Sequence, residues 1–342
     1  MTVPRYSLII ETANLSLADL DGLRETLDSL AVQTLPVQNA CEVLLADSGD
    51  VPPDSLQQTL RTYPWVRPMG LPEGTGYEEL KMAGANASSG ELIVFADGDC
   101  LYERTWLEAL LAPFSDQSVS IVGGETAINS AGPYGLAVAI ASSFPARARS
   151  DNPYQSDRYH LNNVAFRRRV LQDVPIPSRQ PCYRMSGLHA ARLLARGYTI
   201  LRQPSAGAVH AAPNGLTHFV WRFLLMGFDG VVVPRLIAKE SRPADRSRVQ
   251  RRRIFGLIRF WAAQAISKVA GELRSNPWRS LELPLALPVF ASAVVLQVIG
   301  ALAGLVAPQR FLDAVPDEIL QGSTCERRPA PIGDPSHSAK AV

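Results

Sequence analysis

The chain reads as an α/β protein with a mostly parallel sheet flanked by helices and a helical membrane segment towards its C-terminus. Three observations carry this expectation. Short apolar runs alternate with segments of helical periodicity in the first hundred residues. Those runs end on acidic residues, and α/β sheets place ligand crevices beyond the carboxyl ends of their strands. Finally, the run from Leu283 to Ala307 contains no charged residue.

Taken in order, Tyr6 to Ile10 is short and rich in β-branched and aromatic residues, as strands are. Thr12, Ala13 and Asn14 follow as a small polar loop. Leu20, Leu23, Leu27 and Leu30 then recur at helical spacing until Pro36 interrupts. A second strand, Glu42 to Ala46, ends on Asp47-Ser48-Gly49-Asp50. The most informative stretch is Glu91 to Cys100, in which a continuous apolar run of the kind buried on both faces, Leu92 to Ala96, delivers Asp97 and Asp99 to its end. Two carboxylates one residue apart suit Mg²⁺ or Mn²⁺, hard cations that favour oxygen ligands and share their shell with substrate phosphates. The order strand, helix, strand, loop, helix, strand implies right-handed crossovers and a nucleotide-binding architecture.

Four motifs stand in sequence: Leu23-Arg24-Glu25-Thr26-Leu27-Asp28-Ser29-Leu30-Ala31-Val32-Gln33, Asp47-Ser48-Gly49-Asp50, Lys81 to Gly90, and Asp97-Gly98-Asp99. In this order the chain resembles the inverting family 2 glycosyltransferases of the GT-A fold. The resemblance implies a nucleotide-diphospho-sugar donor, with Thr12 and Asp47 lining the nucleotide pocket and Lys81 near the donor. It also implies that Asp97 and Asp99 hold ribose and metal-bound diphosphate, Asp99 being the metal ligand. His210, ending the apolar stretch Gly207 to Val209, matches a point where members of that family place a metal-binding His.

The same resemblance exposes a departure. An acidic pair is expected upstream of a helix reading Arg-Leu-x-x-x-Gly-Tyr, which here is Arg192 to Tyr198, yet Met185 and Ser186 occupy the pair's places. Deprotonating an acceptor hydroxyl requires a base within hydrogen-bond reach. His189 is the first choice on its ordinary pKa, with Glu125 and Asp151 as further candidates. Asn162-Asn163 followed by Arg167, Arg168 and Arg169 resembles a family segment whose guanidinium groups could face donor diphosphate or a lipid phosphate. Trp221, Arg222 and a Gly227-Phe228 turn resemble the end of the catalytic domain.

The expected organisation is a catalytic domain over residues 1–235, a basic linker over 236–253, an amphipathic helical segment over 254–282, a transmembrane helix over 283–307 and a disordered tail over 308–342. The net charge of +2 steers no partner globally, but Arg242, Arg246, Arg248, Arg251, Arg252 and Arg253 cluster. Without zinc-ligand spacing, RNA-binding aromatics or basic-zipper heptads, a juxtamembrane role fits better than nucleic-acid binding. Ile254, Leu257, Ile258, Trp261, Ala265 and Val269 form the apolar side of the amphipathic segment, interrupted by Arg259 and Lys268. It lies either on the membrane or on the catalytic domain. The uncharged run to Ala307 exceeds the roughly 20 residues that span a bilayer, although Pro284 and Pro288 could turn it into a re-entrant segment. The arginine excess before it implies a cytoplasmic catalytic domain at the cell inner membrane. Met1 to Arg5 lead into a strand, so no signal peptide is expected. Cys41, Cys100, Cys182 and Cys325 lack metal-site spacing and would stay reduced in a cytoplasm.

The expected activity is metal-dependent transfer of a sugar to a lipid-linked or polysaccharide acceptor. Two other readings stay open: a catalytically inactive, membrane-tethered nucleotide-sugar-binding or scaffold protein, and a phosphatase of the haloacid dehalogenase type, whose later Lys and acidic pair are not found in suitable order.

Overall fold

The computed structural model describes residues 4–13, 20–144, 151–178, 182–240, 255–316 and 319. Asn14, the arginine cluster from Arg242 to Arg253, Ile254, Cys325 and the rest of the tail beyond residue 319 lie outside the described residues, as do the side chains of Leu257, Ile258, Arg259 and Trp261.

The N-terminal half alternates strand and helix, with α2 and β3 where a loop was expected: β1 (Tyr6–Glu11), α1 (Leu20–Ala31), β2 (Val43–Asp47), α2 (Pro53–Thr62), β3 (Val66–Gly70), α3 (Tyr77–Ala87) and β4 (Leu92–Asp97). These four strands pair in parallel in the order β3-β2-β1-β4. The order reverses at β1, so a crevice opens where the crossovers leave to opposite sides. Their apolar runs are continuous because both faces are covered. Leu8, Ile10, Val94 and Ala96 pack with Leu23, Leu27 and Leu30 of α1, whereas Ile9, Ile93 and Phe95 point the other way, towards Tyr77 and Leu80 of α3.

Beyond β4 the sheet becomes mixed. After β5 (Cys100–Tyr102), α4 (Trp106–Leu111), β6 (Ile121–Ile128), α5 (Gly132–Ala141) and β7 (Tyr154–Ser156) come β8 (Asn163–Arg167), α6 (Arg168–Asp173), α7 (Ser186–Ala195) and β9 (Ile200–His210). β8 runs antiparallel to β4 and to β6, β6 pairs in parallel with β9, and β5 and β7 pair antiparallel with β9. The sheet is therefore parallel throughout its first four strands and mixed beyond β4, where only the β6–β9 pair among the described strands is parallel. The turn Gly98-Asp99 sends the chain straight into β5, whose partner comes from more than a hundred residues later. No local pattern announces that pairing.

Four helices finish the described chain: α8 (Gly215–Glu240), α9 (Phe255–Ser275), α10 (Leu283–Val306) and α11 (Pro308–Asp313). α8 continues five residues past position 235. Gly227 lies inside it rather than in a turn, at the crossing with α10. A Cβ on Gly227 would collide with the Gln297 carbonyl, and one on Gly300 with the Leu224 carbonyl, so glycine on both helices lets their backbones meet. Arg235 Nη1 donates to the Gly304 carbonyl at 2.8 Å, and Gln297 Nε2 donates to Ala141 of α5 at 2.9 Å. Lys268 of α9 is buried and its Nζ donates to the Ala139 and Ser142 carbonyls at 3.2 and 2.6 Å, closing the open end of α5. With Ala265 and Val269 packed on the α5 side, the described part of the amphipathic segment lies against α5.

α10 is one continuous helix through Pro288. Its small and amide residues Ala286, Ala293, Gln297, Gly300 and Gly304 face inward, while Leu285, Leu287, Val295, Val298, Ile299 and Leu302 are exposed. Among the described residues, α8 and α10 are long and apolar enough to cross a membrane.

Because the α8–α10 crossing admits no side chain, Gly300→Leu should cost about 1–3 kcal/mol or more through overpacking. Leu302→Ala, on the exposed side, should change stability in water or detergent by no more than about 0.5 kcal/mol. Thermal unfolding of the two variants side by side measures the contrast.

Candidate active site

Three neighbouring parallel strands end in carboxylates. Glu11 sits opposite Asp97 in the β1–β4 register, and Asp47 lies one residue beyond Ala46, the partner of Glu11 on β2. Their side chains are held in different ways. Asp97 is 3% exposed, which is costly for a charge unless compensated. Lys81, fully buried on α3, places Nζ 2.6 Å from Asp97 Oδ1 and 2.8 Å from the Ala96 carbonyl. Tyr77, one helical turn earlier, donates its hydroxyl to Asp97 at 2.9 Å, and its ring receives the Lys81 ammonium at 4.9 Å. Burial by itself would raise the Asp97 pKa, but the Lys81 charge and hydrogen bond outweigh it and hold the carboxyl below its ordinary value. Glu11 is pushed well above its ordinary value, first by burial and then by the neighbouring Asp97, while it accepts a hydrogen bond from the Ala13 amide at 2.7 Å. Glu11 had no signal in the sequence beyond its place at a strand end.

Thr12 and Asp47 are hydrogen-bonded to each other. Thr12 Oγ1 donates to Asp47 Oδ1 at 2.6 Å, and the Val51 amide donates to the same oxygen at 3.2 Å. The pair thus closes the β1 and β2 loops on each other while remaining at the crevice.

Asp99 and His210 are united by the β5–β9 ladder, in which Cys100 faces His210. The Asp99 carbonyl also accepts from the Ala211 amide at 3.1 Å. His210 Nδ1 donates to the Ala211 carbonyl at 2.7 Å, which leaves Nε2 turned towards Asp99, 3.5 Å from its Oδ2. Ligand atoms of Asp97, Asp99, Cys100 and His210 all lie within 4.8 Å of one another. Two carboxylates and an imidazole oriented by a backbone carbonyl are a donor set that fits Mn²⁺ or Mg²⁺. Cys100, set aside on sequence spacing, joins this group because the strand pairing puts it there. Its thiol is pushed well above its ordinary pKa by burial and then by Asp99, so it faces the site as a neutral S–H, with Asn162 Nδ2 donating to Sγ at 3.4 Å.

The expected base is elsewhere. His189 is fully buried on α7, with Nδ1 2.5 Å from the Tyr159 hydroxyl and Nε2 2.7 Å from the Val174 carbonyl. Burial lowers its pKa to about 4. With both ring nitrogens engaged in the core, it holds α7 to the sheet and has no position from which to take an acceptor's proton. Arg167 and Arg168 are likewise structural. Because β8 is antiparallel to β4, they emerge at the opposite end of the sheet from Asp97, where they bond the carbonyls of Val119, Phe114, Gly90 and Ala85. Met185 is buried at the start of α7, and Arg184 just before it stacks on Tyr77 with its Cζ 4.9 Å from the ring centre.

Comparison with known proteins agrees with this geometry. Residues 7–174 match the family model described as Glycosyl transferase family 2. The chain is 27% identical over 180 residues to Glycosyltransferase AglE of Haloferax volcanii, covering 52% of this chain and 57% of that protein, so it spans little more than half of that relative. Mannosyltransferase PcManGT from Pyrobaculum calidifontis, solved in complex with GDP-Man and Mn²⁺, superposes with a TM-score of 0.60 at 17% identity, covering 90% of this chain and 88% of that one. The fold is therefore GT-A. The chain carries a family 2 glycosyltransferase domain over residues 7–174.

Two outcomes test these assignments. Lys81→Met leaves Asp97 buried without its cation and should cost about 3–5 kcal/mol in urea unfolding. His189 has a folded pKa near 4, below the unfolded value of about 6.5. Its neutral ring therefore contributes stability that is full above pH 6.5 and lost as the pH falls towards 4. Between pH 7 and pH 5 the wild type should lose about 2 kcal/mol more than His189→Phe.

Proposed function

We propose that this glycosyltransferase moves a sugar with inversion from a nucleoside-diphosphate donor to a lipid-linked or cell-envelope acceptor, and that it needs Mg²⁺ or Mn²⁺. The single observation that carries the reading is the group Asp97, Asp99 and His210 assembled at the point where the strand order reverses. Asp99 and His210 Nε2 would hold the cation. When bound, it would act as a Lewis acid on the diphosphate and offset the charge that develops as the sugar leaves. Asp97 is already clamped by Lys81 and Tyr77, which suits it to accept a ribose hydroxyl in a fixed place. Thr12 and Asp47 would form the nucleotide side of the crevice, at the ends of β1 and β2.

The exposed apolar side of α10 supports attachment to a membrane, with the catalytic domain at the cytoplasmic side of the cell inner membrane. Such placement brings the crevice to an acceptor that is itself lipid-borne. The mannosyltransferase of similar fold binds GDP-Man and Mn²⁺, which makes guanosine and uridine diphosphate sugars the first donors to assay.

Detergent-purified protein should release nucleoside diphosphate from one member of such a panel in Mn²⁺ or Mg²⁺, and chelator should abolish the release. Asp99→Ala should lower kcat by ~10²–10³-fold, the scale of losing one preorganised electrostatic contact. Donor binding with no turnover in any acceptor would instead favour a tethered nucleotide-sugar-binding protein.

A further inference from the structure

The donor set in the crevice is more mixed than a hard cation requires. Mg²⁺ and Mn²⁺ are satisfied by carboxylate and phosphate oxygens, and neither gains from a sulfur. Yet Cys100 Sγ lies 3.7 Å from Asp99 Oδ1, and His210 Nε2 lies 3.5 Å from Asp99 Oδ2. Sulfur and imidazole come together because Cys100 and His210 are paired across the antiparallel β5–β9 ladder, where opposed residues share a face. The donors of a tetrahedral ion with bonds of about 2.0–2.3 Å stand roughly 3.3–3.8 Å apart. Both distances from the Asp99 carboxylate have that spacing, and the sulfur and the ring nitrogen are within 4.8 Å of each other. Asp97 stays with Lys81 and Tyr77, so Asp99, Cys100 and His210 are the three donors that can turn to an ion.

The sulfur and the ring are also oriented from behind. Asn162 Oδ1 accepts from the Thr126 hydroxyl at 3.3 Å, which aims its amide nitrogen at Sγ, 3.4 Å away. An N–H directed at a sulfur favours the thiolate over the thiol. His210 is turned inward by the bond from Nδ1 to the Ala211 carbonyl. Hydrogen bonds of this kind fix the direction of metal ligands. A cysteine that only filled space in the core would need no donor at its sulfur.

We propose that the crevice has a second metal-binding mode, in which Zn²⁺ is held by Asp99, Cys100 and His210 and excludes Mn²⁺ and Mg²⁺. This rests on the reading of Asp99 and His210 as cation ligands and adds Cys100 as the residue that sets metal selectivity. The two modes share two ligands, so only one ion can be bound at a time. As Sγ bonds to the ion, the thiol proton leaves to solvent, and no electron is transferred. Zn²⁺ binds nitrogen donors more tightly than Mn²⁺ does, and a thiolate widens the difference. A tetrahedral ion with three protein ligands keeps one open position, whereas an octahedral ion on Asp99 and His210 keeps four for diphosphate and water. The zinc-bound form is therefore an inhibited one.

The test titrates the detergent-purified full chain with Co²⁺, an absorbing stand-in for Zn²⁺, and follows Mn²⁺ binding separately by electron paramagnetic resonance. The wild type should show the near-ultraviolet charge-transfer band of a cobalt–thiolate bond, saturating at a single ion per chain, and Zn²⁺ should erase it and displace Mn²⁺. Cys100→Ser should remove the band and weaken Zn²⁺ binding by roughly 100-fold or more, the upper end of what losing even an outer partner costs, with little change for Mn²⁺. Cys41→Ser and Cys182→Ser should keep the band. The wild-type spectrum needs no variant, so a folding defect in Cys100→Ser, checked by thermal melting, leaves it decisive. Co²⁺ that displaces Mn²⁺ without a thiolate band would overturn the proposal and leave Asp99 and His210 as the cation ligands. A band that survives in Cys100→Ser would overturn it by assigning the thiolate to another cysteine. Failure of both Mn²⁺ and Co²⁺ to bind would overturn the cation reading itself and the inference with it.

Discussion

The carboxylate of Asp97, buried at the end of a central strand, is the constraint around which the site is organised. A charge so deeply placed has to be met by a cation and further hydrogen bonds, and α3 supplies them from a single face through Lys81 and Tyr77. That requirement sets the rotation of α3 against β4. It also sets the tilt of the Tyr77 ring, on which Arg184 rests. Through Arg184 and Tyr183, whose amides bond Asp229, the same chain of contacts reaches α8. One compensated charge thereby links the parallel half of the sheet, the entry to α7 and the long apolar helix.

A second linkage runs through α5. Its last carbonyls have no helical partners, and Lys268 of α9 and Gln297 of α10 reach in to bond them. Arg279, between those two helices, bonds Ser130 before α5 and pairs with Glu272. The helices after the sheet are therefore fastened to the catalytic domain by directed hydrogen bonds as well as by the close α8–α10 crossing. The inward side of α10 is small and polar enough for that contact, and its outward side is apolar.

Much of the site was legible in the sequence. Asp97 and Asp99 were visible because a strand buried on both faces leaves a continuous apolar run, and polar residues at its end then stand out. Thr12, Asp47 and Lys81 followed from the order of motifs around that run. His189 misled because one-dimensional spacing shows that a histidine lies on a helix but not which way its ring points. In three dimensions the ring faces Phe166 and Tyr159 in the core. Arg167 and Arg168 misled for a related reason, since the antiparallel direction of β8 carries them away from the crevice. Cys100 and Arg184 had no local signature, because each depends on a partner distant in the chain.

What the sequence by itself determined is local and periodic: the alternation of strands and helices, the acidic strand ends, and the long uncharged helix near the C-terminus. These follow from burial patterns that repeat every two or every 3.6 residues and so are written into neighbouring positions. Only the tertiary structure decided which strand lies beside β5 and that His210 thereby comes close to Asp99. Strand pairing across a hundred residues, and the direction of each buried side chain, are settled by packing and charge compensation among groups that the chain brings together only when it folds.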